Sequence, residues 1–258
     1  MNMGLAGKRV LITGSTRGIG LGMARAFLRE EAIVVLNGRD PAVLEETASS
    51  LADVPGKGQV LPVRADLADA AGRKECAKAI LNALGGLDHL VCNIGSGRSL
   101  PILEETHAEF QRMMEINLFH AQGCVETFLP LLERGEGDSI LFISSICGCE
   151  TLGCPAAYSA AKAGLNAYAG SIARPLGAHG IRVNVLSPGN VTFPGSTWED
   201  KLEANPEGVQ DMLDKEVPMQ RLGTLDEIAD VAVFLCSSRA GFVTGANWIV
   251  DGGQTRST

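Results

Sequence analysis

The sequence predicts an α/β protein: a doubly wound parallel sheet of about seven strands with helices on both faces, in a single domain. Three observations predict it. Short runs rich in Val, Ile and Leu recur along the chain and are apolar on both faces, as strands covered from both sides must be. Longer amphipathic stretches alternate with them, the strand–helix–strand rhythm of a parallel sheet. The chain has 258 residues, 45% hydrophobic and 20% charged, which suits one sizeable globular core.

The strand-like runs, in order, are Arg9–Thr13, Ile33–Asn37, Gln59–Arg64, Leu87–Asn93, Ser139–Ser144, Arg182–Leu186 and Trp248–Val250. The first runs into Gly14-Ser15-Thr16-Arg17-Gly18-Ile19-Gly20 and then a helical pattern. Glycines let a backbone turn tightly and approach a pyrophosphate, and the helix start offers free N–H groups and partial positive charge. A glycine-rich turn in this strand–turn–helix setting is a dinucleotide site.

The second strand ends Asn37-Gly38-Arg39-Asp40. NAD binders place a carboxylate there for the ribose 2′-hydroxyl, whereas a guanidinium suits a 2′-phosphate. Arg39, with Arg17 approaching from the other side, therefore predicts NADP(H) in preference to NAD(H). Asp40 is either the cap of the next helix, before Pro41, or a competitor for Arg39. The third strand ends at Arg64-Ala65-Asp66-Leu67. Asp66 is read equally as an acceptor for an adenine amino group or as a helix cap, with Asp69 the competing cap. The fourth runs into Cys92-Asn93-Ile94-Gly95: Gly95 allows close passage by a ribose, and Asn93 either ties strands or brackets adenosine.

Asn117 interrupts an apolar helical stretch, so its amide needs partners. A water shared with Lys162 would supply them, and a core-satisfied amide is the plainer reading. Ser145 ends the fifth strand, where its hydroxyl could hold a substrate oxygen. Tyr158 and Lys162, four apart, share a helix face. An ammonium beside a phenol is expected to favour phenolate and lower the phenol's pKa, which tunes it as a general acid/base. After the sixth strand, residues 193–223 break the rhythm with Pro194, Pro206 and Pro218 and many charges. Such an insertion at a strand's carboxyl end reads as a substrate lid, or else as a solvated excursion.

Net charge of −8 disfavours nucleic acid and anionic membrane surfaces. The start MNMGLAGKRVLITG carries no secretory pattern, and no apolar run spans a membrane. A cytoplasmic location is expected, with all seven cysteines as reduced thiols. Cys147, Cys149 and Cys154 lack a second paired cluster for zinc and read as pocket or core residues, so no metal is expected.

These motifs, in this order and spacing over nearly the whole chain, resemble the short-chain dehydrogenase/reductase family: TGSTRGIG, Asp66, Asn93-x-Gly95, Asn117, Ser145, YSAAK, Pro188-Gly189 and the closing TGANWIVDGG. The resemblance implies a Rossmann-type fold and hydride transfer between nicotinamide and a carbonyl or alcohol carbon. It implies Tyr158 as general acid/base and Lys162 as its tuner and a binder of the nicotinamide ribose. Ser145 would position the carbonyl, and Asn117 would anchor a proton-relay water. Leu67 joins Asp66 at the adenine end, and Pro188, Gly189, Val191 and Thr192 line the nicotinamide. It also implies a homotetramer, or a dimer, built partly from long helices around 106–132 and 155–178. Ile94 replaces the family's usual Ala, the hydroxyl of Thr192 comes one residue early, and Arg174-Pro175 inside a helix should kink or end it.

The pattern is closest to 3-oxoacyl carrier-protein reductases. Those have basic residues near the entrance for the acidic carrier; here the matching positions hold Glu136 and His179, with Arg134 and Arg174 nearby. A small ketone, a sugar derivative or another polar carbonyl compound is an equal expectation. The pocket is expected among Ser96–Ser99, Cys147, Glu150, Cys154 and Thr192–Trp198, where Arg98 either meets an anionic substrate group or is merely solvated. A non-catalytic dinucleotide-binding protein on the same fold is the remote alternative.

Overall fold

Residues 10–12 are apolar and wholly buried, so β1 (Arg9–Ile12) must be covered on both faces and flanked on both edges. The computed structural model, which describes residues 2–133 and 139–256, gives it both. β1 pairs in parallel with β2 (Ile33–Gly38) on one side and β4 (His89–Cys92) on the other. β3 (Gln59–Arg64) flanks β2, while β5 (Ser139–Ile143), β6 (Arg182–Pro188) and β7 (Asn247–Val250) continue beyond β4. The result is one seven-stranded parallel sheet in the order β3-β2-β1-β4-β5-β6-β7. Strand order reverses between β1 and β4, and the crevice at their carboxyl ends is where such sheets bind ligands.

Two apolar cores sandwich the sheet. α1 (Gly18–Arg29), α2 (Pro41–Leu51) and α9 (Leu225–Cys236) bury one face through Met23, Phe27, Leu44 and Ile228. α3 (Ala70–Leu84), α5 (His120–Leu132) and α6 (Ala156–Gly177) bury the other through Ile80, Phe128, Leu165 and Ala169. Between the sheet and these helices, polar side chains do the stopping and starting. Asp40 accepts from the N–H groups of Ala42 and Val43 and so caps α2. Asp69 caps α3, and Thr224 with Glu227 forms a reciprocal capping box on α9.

Several expectations change in detail. The expected helix over 106–132 is two helices, α4 (His107–Met114) and α5, joined by a π-helical stretch at Glu115–Phe119. α6 runs through Pro175, which falls in its last turn and so displaces few hydrogen bonds, instead of ending before it. β4 begins at His89, because Leu87 gives its N–H to Leu131 of α5. Segment 193–223 is mostly helical: α7 (Thr197–Ala204) and α8 (Pro206–Glu216), capped by Ser196 and Asn205, share a small apolar cluster of Val209, Leu213 and Val217. Pro206 starts α8, where a missing N–H costs nothing. No helix among the described residues is long and apolar enough to cross a membrane. Arg134 and Glu136 lie outside the described residues.

Candidate active site

Thr13 follows β1 and turns the chain into the glycine-rich loop. Its hydroxyl accepts from the N–H groups of Asn93 and Ile94, at 2.9 and 3.1 Å. The Asn93 amide returns two bonds to the carbonyls of Thr13 and Gly14. Asn93 thus ties β1 to β4. On the other side, buried Asn37 takes the Gly14 N–H on its Oδ1 at 3.1 Å and donates to the carbonyls of Val63 and Ala65. Ser15 completes this clasp: its N–H donates to the Asn37 carbonyl and its Oγ accepts from the Asn37 N–H, both at 2.9 Å. The loop is therefore fixed from β2, β3 and β4 before any ligand arrives. Sequence reasoning missed the role of Asn37; an amide within an otherwise apolar strand run was the available signal.

The loop leaves the start of α1 open. Arg17 stands at its N-cap without a side-chain cap, so the first N–H groups of the helix keep their donors for an anion. Gly18 takes φ +55, and a Cβ there would meet the Phe193 ring at 2.7 Å, so only glycine fits beneath that ring. Thr16 packs on Gly38, and Ile19 and Gly20 open α1. Arg17 and Arg39 are both exposed at this edge. Arg39 lies 3.5 Å from Asp66, both side chains well exposed, which is a weak solvent-screened pair. Asp66 is not the cap of α3: it accepts from Ala68 N–H and leaves capping to Asp69. Leu67 is fully buried behind it.

At the other end, Ser145 follows β5 in extended conformation and is buried; its Oγ accepts from Cys147 N–H at 3.2 Å and lies close enough to the Tyr158 phenol to favour its ionised form. Tyr158 stands in the first turn of α6. Lys162, one turn on, is 3% exposed and donates from Nζ to the Ile143 carbonyl at 2.8 Å; its Nζ is 5.9 Å from the Tyr158 ring centre. Asn117 comes from the π-helical stretch, a break in the ladder that often marks functional sites. Its Nδ2 donates to the carbonyls of Ser96 and Met113, and its Oδ1 accepts from Ser96 N–H. Gly95 lies between these groups. A Cβ there would meet Asn117 Oδ1 at 2.8 Å and Lys162 Nζ at 3.1 Å, so its bareness brings the amide and the ammonium together. All four expected catalytic side chains converge at the carboxyl ends of β4 and β5.

The electrostatics correct one expectation. Tyr158 is held above the usual tyrosine pKa, chiefly by desolvation, with the neighbouring Ser145 hydroxyl pulling it partly back. The nearby lysine does not invert this, because burial pushes Lys162 itself down to about 8 and its ammonium is turned to the Ile143 carbonyl.

Pro188 ends β6, and Gly189 packs against Asp251 beyond β7. Val191 is buried and bridges Gly223, while Thr192 gives its N–H to the Gly223 carbonyl. Arg98 is neither free nor merely solvated: it pairs with Asp200 of α7 at 2.7 Å and donates to the Gly195 carbonyl. The chain's end folds back over the site. Gln254 takes a bond from Asn190, Arg256 N–H donates to Glu150, and its guanidinium pairs with Glu216 of α8.

The expectation that every cysteine is a free thiol is overturned at two positions. Cys147 and Cys154 are joined by a disulfide, their Cα atoms 6.2 Å apart, because the short loop between Ser145 and α6 folds back on itself. Cys149 between them is free and touches Ser145 and Ser187. Among the described residues no group of three or more His, Cys, Asp or Glu side chains is placed to hold a metal ion.

Comparison with known proteins places the chain in a family. The family model described as enoyl-(acyl carrier protein) reductase matches residues 14–255. The chain is 32% identical to the 3-oxoacyl-(acyl-carrier-protein) reductase FabG of Chlamydia pneumoniae, across 99% of this chain and 100% of the relative. It superposes on the L-sorbose reductase of Gluconobacter frateurii, solved with NADPH and L-sorbose, with a TM-score of 0.93 at 31% identity over the whole of both chains. It is also similar to a 7α-hydroxysteroid dehydrogenase solved with NADH, with a TM-score of 0.89 and 28% identity over 99% of this chain and 97% of that one.

Proposed function

The chain belongs to the short-chain dehydrogenase/reductase family, an oxidoreductase acting on alcohol and carbonyl groups, and from that premise we propose that it is an NADP(H)-dependent enzyme for small polar carbonyl compounds, with Tyr158 as its acid/base. The observation that carries this reading is the meeting of Tyr158, Ser145, Lys162 and Asn117 at the sheet's carboxyl edge. The residues fit the cofactor. The uncapped start of α1 and the fixed loop Gly14–Gly20 suit its pyrophosphate, Arg17 and Arg39 its 2′-phosphate, and Asp66 and Leu67 its adenine. Asn93, Gly95, Lys162 and the segment Pro188, Gly189, Val191, Thr192 suit its nicotinamide end. When bound, the nicotinamide supplies or takes the hydride.

The chain's own groups handle the oxygen and the proton. Ser145 Oγ donates to the carbonyl oxygen and holds it beside Tyr158. A phenol kept protonated by desolvation is the donor that an alkoxide needs as it forms. The Lys162 ammonium, below about pH 8, then stabilises the phenolate left behind. Asn117, with its backbone partners at Ser96 and Met113, orients a water for proton return. Segment 193–223 acts as the lid, held by the Arg98–Asp200 pair and by Phe193 on the glycine turn.

Support for a small polar substrate comes from the polar groups of the Ser96–Ser99 loop, Glu150, Asn190 and Gln254, and from Arg98 being spent on the lid. Support for a homotetramer or dimer comes from exposed Phe110 and Phe119 on an open cavity of about 610 Å³ along α4. For a reducing, cytoplasmic setting stand the five free cysteines; against it stands the Cys147–Cys154 disulfide.

One assay series tests the reading. Turnover of a ketose and small-ketone panel with NADPH should exceed turnover with NADH, and should exceed turnover of acyl carrier-protein substrates. Tyr158→Phe should lose at least ~1,000-fold in kcat while binding NADPH normally. A largely active Phe variant refutes the catalytic assignment, equal rates with NADH refute the cofactor, and preference for the carrier substrate refutes the substrate class.

A further inference from the structure

The helix that carries Tyr158 and Lys162 has no cap of its own. Its N-cap residue is Pro155, which makes no side-chain cap bond. The first ladder bond runs from Ser159 N–H to the Pro155 carbonyl, so the N–H groups of residues 156–158 depend on other partners. Glu105 supplies two of them. Its carboxylate accepts from Ala156 N–H at 2.9 Å and from Ala157 N–H at 2.7 Å, across 51 and 52 residues of sequence. A carboxylate at that end also meets the positive end of the helix dipole.

We propose that Glu105 is a positioning residue for the acid/base: by clamping the first turn of α6 from the loop before α4, it sets where the Tyr158 phenol stands relative to Lys162 and Ser145. The three side chains are anchored separately. Lys162 is pinned a turn later by its own bond to Ile143, and Ser145 by the end of β5. Tyr158 alone rides on the first turn, the part of a helix that frays. Releasing that turn alters the phenol's relation to its neighbours and leaves them in place. The same clamp links Gly95 to the catalytic helix, since residues 96–105 run from that glycine to Glu105. Glu105 touches neither reacting atoms nor the lid, so its effect falls on the rate of the chemical step and not on binding.

The proposal rests on the reading of Tyr158 above, and the test separates the two. In Glu105→Gln, one acceptor oxygen becomes an amide donor facing the helix. We expect kcat to fall roughly tenfold, KM for carbonyl and NADPH to stay as in the parent, and amide hydrogen exchange at residues 156–158 to accelerate. Adding Pro155→Asp, which gives α6 a local cap, should restore both kcat and exchange protection. Parental kcat and parental exchange in Glu105→Gln overturn the proposal. So does a loss of kcat that the local cap fails to restore, or one carried in KM, which means that Glu105 acts elsewhere. If Glu105→Gln is recovered unfolded, the double variant made directly decides in the same way: parental kcat supports the clamp, and low kcat in a cooperatively melting protein overturns it. If no carbonyl compound is turned over even by the parent, the exchange measurement still decides the clamp, and only the functional reading has failed.

Discussion

Lys162 is nearly sealed from solvent and its proton is held by a single carbonyl, so its ordinary pKa of 10.5 falls to about 8. The charged form, present below that value, gives the stronger, charge-assisted bond to a nicotinamide ribose. NADPH affinity should therefore weaken as pH rises through about 8, read by fluorescence titration, and in Lys162→Met the dependence should be absent because the side chain is neutral throughout. A parent whose affinity is flat across that range would contradict the assignment. At this scale the sequence was partly legible. Tyr158, Lys162, Ser145 and Asn117 stand at spacings that single them out, and the fold brings them together. The direction of the tyrosine's shift did not follow from spacing, because it is decided by how much water the phenol loses against how far the ammonium lies. Glu105 was invisible for a similar reason: a cap delivered from 51 and 52 residues away leaves no local pattern.

Among the elements, the strands were read within one or two residues, because apolar runs buried on both faces admit few alternatives. The π-helical stretch around Asn117 was not, since its hydrophobic spacing passes for an ordinary helix, and the disulfide in the 146–155 loop was not, since three cysteines in ten residues carry no pairing rule. The clasp made by Asn37 is the element-level feature with the clearest energetic consequence. Asn37→Ala removes acceptor and donor at once and leaves the Gly14 N–H and the carbonyls of Val63 and Ala65 short of partners. Each lost bond costs on the order of 1 kcal/mol, and buried groups left unsatisfied cost more, so urea melts should show a loss of about 2–4 kcal/mol. The same variant should bind NADPH more weakly, since the glycine turn loses its hold on β2 and β3. A variant melting like the parent would mean that the loop is held mainly by Asn93.

For the molecule as a whole, the most exposed consequence of burial lies at the opposite end of the sheet from the chemistry. His89 opens β4, hydrogen-bonds Ser139 at 2.9 Å and is driven from 6.5 to about 3 by desolvation, against the pull of Asp88. The native chain thus keeps His89 neutral where the unfolded chain protonates it, so stability is complete above 6.5 and drains away as pH falls toward 3. By about pH 4.5 the loss is on the order of 2–3 kcal/mol. Glu109 and Glu227, held down to about 2 by their arginines, withdraw stability only below the ordinary carboxylate value of 4.5. Denaturant melts between pH 6.5 and about 4.5 should therefore isolate the histidine, and His89→Leu should flatten that window whatever its absolute stability. An unchanged slope in the leucine variant would assign the acid sensitivity elsewhere.

The ring of Phe193 against Gly18 joins the glycine-rich turn to the segment that follows β6. The same chain leads into α7, whose first turn is joined to Arg98 through Asp200. On the proposed reading, a coenzyme seated on the start of α1 would therefore be felt along residues 193–200 and at Arg98, on the far side of the cleft from its phosphates.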